Sequence, residues 1–126
     1  MKLMNTAVFY VLATSLSAVT FADDHSTLRV VAVNATDANA YIAELRKGKE
    51  MMMKIDSKMS MRAWRATFAG TTTGTVIVAL EYPGSLSDFA GAWEKTLADK
   101  GMASWLDGLS GLRAIVSDSL YQEIPL

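Results

Sequence analysis

Between Ser60 and Pro83, two runs with apolar residues on both strand faces flank a glycine-bounded turn: SMRAWRATFAG, then TGTVIVALEYP. The pattern predicts one long β-hairpin. In the first strand Met61 and Ala63 point one way, while Trp64, Ala66 and Phe68 point the other. In the second, Val76, Val78, Leu80 and Tyr82 oppose Thr75, Ile77 and Ala79. Both faces therefore carry apolar side chains. A small antiparallel sheet ordinarily has one dry face and one wet face. A sheet dry on both faces needs helices on one side and a second subunit or a ligand on the other.

The rest of the chain supplies the helices. Thr27–Ala35 is rich in Val and reads as a strand. Thr36–Lys54 follows with Ala38, Tyr41, Ile42, Leu45 and Met52 at helical spacing, and Thr36 or Asp37 suits the N-cap. Gly48 weakens that helix in its last third. After the break at Pro83-Gly84, Ser85 and Asp88 have capping-box spacing. Leu86, Phe89, Ala90, Trp93 and Leu97 then form an apolar stripe. Lys100-Gly101 interrupts it, and Met102, Trp105, Leu106 and Leu109 make a further amphipathic helix. Arg113–Ile124 reads as the last strand. The order β–α–β–β–α–β predicts an α+β, ferredoxin-like fold, with a four-stranded antiparallel sheet and a split second helix.

Residues 1–22 read as a separate segment. Lys2 precedes the apolar run Ala7–Ala22, and Thr20 and Ala22 fit the −3 and −1 positions of a cleavage site before Asp23. This is the pattern of a secretory signal peptide. A spanning helix wants roughly 20 apolar residues, more than this Ser- and Thr-bearing run provides. The expectation is a periplasmic or secreted product with one domain over 23–126 and no membrane attachment after cleavage. The chain has no Cys, so disulfides cannot stabilise it. Its net charge is −1, and losing Lys2 makes it more negative, unlike a nucleic-acid binder.

The strands RAWRATFAG, TGTVIVALEYP and VSDSLYQEI, with the WEKTLAD helix between them, resemble the dimeric α/β-barrel superfamily. Within it the chain is similar to small exported members of unknown function, related to NIPSNAP-like and antibiotic-biosynthesis-monooxygenase-like domains. The resemblance spans nearly all of 27–124. It implies a homodimer in which two sheets close a barrel, with ligands beside the sheet or near the barrel mouth. The superfamily's cofactor-independent oxygenases place Trp, Asn, Tyr and Arg around an aromatic substrate. Trp64, Asn34, Tyr82 and Arg65 match those residue kinds here. Haem-degrading members use a histidine that this chain lacks.

The lone histidine, His25, sits two residues past the expected cut, where a chain terminus holds no site geometry. A Ser-His-Asp triad, a Cys-His pair and zinc sites of the usual N/S type are thereby excluded. Gly70 and Gly74 lack the Lys-Ser/Thr of a phosphate loop and mark a turn. Met51-Met52-Met53 cannot converge on one copper ion, because adjacent helical positions point apart. No metal or cofactor is expected. Glu81 and Asp118 remain as carboxylates. Each could serve as a base, or pair with Arg62, Arg65 or Arg113. Trp64, between Arg62 and Arg65, could line an apolar pocket with cations at its rim, or fill a dimer or helix interface.

The sequence therefore supports a domain binding a small apolar or aromatic molecule beside the sheet. Its candidate pocket residues are Asn34, Arg62, Trp64, Arg65, Glu81 and Tyr82. The alternatives are a cofactor-independent monooxygenase or isomerase, and a structural homodimer without ligand.

Overall fold

Val-rich β1 (Ser26–Ala35) forms the centre of a four-stranded antiparallel sheet of order β2-β3-β1-β4. Its partners are β3 (Val76–Pro83) on one side and β4 (Arg113–Gln122) on the other, and β2 (Ser60–Arg65) is the outer strand beyond β3. This is a computed structural model, and it describes residues 25–126. The leader expected over residues 1–22 lies outside them. Helices α1 (Ala38–Ile55), α2 (Leu86–Ala98) and α3 (Lys100–Gly108) complete the βαββαβ order. The ferredoxin-like α+β fold read from the sequence is the fold the chain adopts.

Side chains at the helix ends set the boundaries. The Asp37 carboxylate accepts from the backbone N–H groups of Asn39 and Ala40, starting α1. Ser85 and Asp88 form the capping box read from the sequence. The split in the second helix falls one residue earlier than Lys100-Gly101. Asp99 ends α2 and its side chain accepts from the Met102 N–H as the N-cap of α3. An aspartate satisfies an otherwise orphaned donor there, so Lys100 and Gly101 belong to the first turn of α3.

The hairpin is shorter than its apolar pattern suggests. Strand β2 stops at Arg65, and β3 starts at Val76. Between them the Thr72 and Thr75 hydroxyls donate to the Ala69 and Thr72 carbonyls, and the Thr73 hydroxyl accepts from the Ala69 N–H. Such local bonds compete with ladder bonds and turn the chain. Gly70 and Gly74 supply the positive φ angles of 58° and 92°. Phe68, predicted on a strand face, is instead 99% exposed in this connection, and Ala66 lies past the strand end. Within β2 only Met61 is buried. The two-sided apolar character therefore belongs to the inner strands, because an outer strand has neighbours on one side only.

The core lies between the sheet and the helices. Val31, Val33, Val76, Val78 and Leu80 meet Tyr41, Leu45 and Met52 of α1, Phe89 and Ala92 of α2, and Met102 of α3. The Met run divides as helical geometry requires: Met52 is buried, Met51 half-buried and Met53 exposed. Helix α1 continues unbroken through Gly48, and Gly48 is buried. Its role is packing. A Cβ built there would fall well inside contact distance of the Trp105 ring of α3. The bare backbone lets the indole lie directly against α1.

Candidate functional site

Alternation along β1 places Arg29 on the same face as the core residues Val31 and Val33. On β4, Arg113 and Ile115 pair with Ala35 and Val33 and share that face. Two cations thus point from the sheet toward the helices. A cavity of about 70 Å³ opens there, walled by Arg29, Arg113 and Ile115 together with Met52, Trp93 and Trp105. Other walls are aliphatic, including Val31, Val78, Leu80 and Leu106. An enclosed water needs roughly 10–15 Å³, so the space holds several waters or one small ring. Ile115 is 52% exposed and stands at the mouth.

The cations have different surroundings. Arg29 Nε and Nη2 donate to the two Asp118 oxygens at 2.9 and 2.7 Å. Its guanidinium also lies 4.9 Å from the centre of the Trp93 ring, which stacks on Phe89. Hydrogen bonds from Arg29 hold the Asp118 carboxyl below the usual carboxylate range, with the charges of Arg29 and Arg113 adding to the effect. The same bonds push Arg29 up. Arg113 has no carboxylate bound to it among the described residues. Its Nη1 donates to the Tyr41 hydroxyl at 3.1 Å, with the guanidinium 5.9 Å from the ring centre. The Trp105 Nε1–H is buried without an acceptor.

Because Asp118 is depressed when folded, its pairing contributes stability above the unfolded carboxylate value of about 3.9. That contribution is lost as pH falls through the lower folded value. Asp118→Asn should therefore lower the melting temperature at pH 7 by a few degrees, and flatten the fall in stability below about pH 4. Melting curves across pH 2–7 test this. Parallel curves for the two proteins would count against it.

The residues singled out in the sequence lie elsewhere. Arg62 and Trp64 stand on the sheet face away from the helices, with the guanidinium 5.2 Å from the indole centre. They also line a shallow groove between β2 and α1, beside Arg46 and Lys49. Glu81, on that same outer face, accepts from Ser26 Oγ at 2.7 Å and from Arg62 Nη2 at 3.4 Å. Asn34 is exposed at the end of β1. Arg65 ends β2, exposed. Tyr82 donates to Asp56 at 2.8 Å, and that bond pushes its hydroxyl pKa up. None of the six walls the cavity. Trp93 and Trp105, read as core, do.

The outer face is apolar at its centre. Leu28, Val30 and Ala32 of β1 lie beside Ile77 and Ala79 of β3, and the half-exposed Trp64 and Tyr121 stand at its flanks. Ala32 and Ala79 are 3% and 5% exposed, while Leu28, Val30 and Ile77 remain partly open. Among the described residues no helix covers this face, and none is long and apolar enough to cross a membrane.

No protein-family profile matches the chain, and no curated protein sequence does. Solved structures do. A NIPSNAP family protein from Agrobacterium tumefaciens superposes with a TM-score of 0.62 at 19% identity, over 81% of this chain and 85% of that one. An uncharacterised NIPSNAP domain protein from Burkholderia xenovorans gives 0.59 at 14%, over 81% and 94%. A cofactor-independent oxygenase from Streptomyces nogalater gives 0.57 at 12%, over 83% and 97%. The fold is thus that of NIPSNAP and antibiotic-biosynthesis-monooxygenase-like domains, as the sequence resemblance implied.

Proposed function

We propose that this protein is an exported binding domain that takes a small ring-sized molecule into the cavity between sheet and helices. It works as a homodimer packed through the outer sheet faces. The observation that carries the binding reading is the cavity itself: an apolar, partly open space walled by two indoles and two arginines. Binding sites combine such walls with a few convergent polar groups. Export rests on the leader pattern of residues 1–22. The dimer rests on the apolar outer face.

The oxygenase likeness raises a catalytic alternative. General-base chemistry would require a proton acceptor facing the ligand. The ionisable side chains in the cavity wall are Arg29 and Arg113, and the nearby Asp118 is bound to Arg29 through both oxygens. Binding is therefore the better-supported role.

Titration with toluene and indole, followed in ¹H–¹⁵N spectra, tests the cavity. The Trp93 and Trp105 indole signals are expected to shift and saturate, with a matching rise in melting temperature. Ile115→Trp, which adds bulk at the mouth, should abolish the shifts while the protein stays folded. Absence of saturation with every probe would sink the binding reading.

A further inference from the structure

Resting on that binding reading, we propose that the cavity selects a small apolar monoanion, a ring-bearing carboxylate, with Arg113 as its anchor. The charge balance of the wall carries this. Asp118 cancels Arg29 through two short hydrogen bonds. No carboxylate among the described residues cancels Arg113, whose one side-chain partner is the neutral Tyr41 hydroxyl. The cavity rim therefore carries one net positive charge beside an otherwise apolar space.

Guanidinium offers five donors in a planar fork suited to carboxylate oxygens. Tyr41 uses one of them and holds the group beside its ring. Tyr41 is fully buried, so it restrains where Arg113 can lie. The Trp105 wall is held by packing, its indole seated on Gly48. A held cation and apolar walls match an acid with a flat or cyclic body. They do not match a cation, and they give a neutral hydrocarbon no polar partner.

Benzoate and benzyl alcohol, similar in body and different in charge, make the test, with toluene as the reference for the cavity alone. Benzoate is expected to bind at least tenfold more tightly than benzyl alcohol. Arg113→Gln should remove that preference. Arg113→Lys, which keeps the charge, should restore part of it. If benzoate and benzyl alcohol bind equally in the unmodified protein, the anion inference falls and the cavity reading stands. If toluene also fails to bind, both fall. Benzoate binding that ignores Arg113→Gln likewise overturns the inference.

Discussion

Gly48→Ala is expected to lower the melting temperature, against the ordinary rule for a helix interior. Intrinsic propensity favours alanine over glycine by about 1 kcal/mol. Against that stands the Trp105 ring: the new Cβ would crowd its Cη2 and Cζ2 at distances that real Cβ atoms do not keep. Both distances are far inside van der Waals contact, and overpacking of a fitted interior costs typically 1–3 kcal/mol or more. The clash wins, by roughly 1–2 kcal/mol net. For a domain of this size that is about 5–15 °C. A double-mutant cycle separates the two terms. With Trp105→Ala in place the indole is gone, and adding Gly48→Ala should become stabilising by about 0.5–1 kcal/mol. Thermal melts of the four proteins decide it. Equal effects of Gly48→Ala in both backgrounds would mean that the glycine has no role in seating Trp105.

Gly48 also shows where a sequence reading reaches its limit. Read along the helix it is a weak point, because propensity concerns one chain segment. Its cause is a ring 57 positions away in sequence, reachable only through the packing of α3 on α1. The element order and the capping residues were legible because they are local: Val-rich strands, helical stripes, and Ser85 with Asp88 three positions on. The cavity was less so. Arg29 belongs to no motif, although its parity with Val31 and Val33 places a cation on a core-facing row. An inward arginine on a central strand is the signal that could have found the site. Trp93 and Trp105 lie on inward stripes that the helical spacing shows. Helical periodicity gives the direction of a side chain, and whether it ends in a filled core or at a cavity wall depends on its opposite neighbours. Trp64 and Arg62 lie close in sequence, and the register of β2 against β3 puts both on the face away from the helices.

That outer face leads to the remaining prediction. Ile77→Glu should convert a dimer of the protein into monomers, raising the dissociation constant on the order of a thousandfold or more. In a single copy Ile77 is partly open to water beside Ala79 and the half-exposed Trp64, so a glutamate there can reach solvent and costs little. In a dimer closed through this face the same carboxylate would enter a dry interface without a cationic partner. Leaving a charge buried and unpaired costs several kcal/mol, about 3–5 by comparison with broken buried pairs. Two-fold symmetry applies that cost twice, since the same patch serves both subunits. Each 1.4 kcal/mol is a factor of ten, so half the doubled cost gives roughly a hundredfold to a few thousandfold, and the full cost more. Light scattering at micromolar concentration should give twice the chain mass for the unmodified protein and the chain mass for the variant, with unchanged far-ultraviolet dichroism. A monomeric unmodified protein would remove the dimer from the proposed function. A dimeric Ile77→Glu variant would place the contact elsewhere, the exposed apolar row Ile115, Leu120 and Ile124 along β4 and its tail being the next surface to substitute.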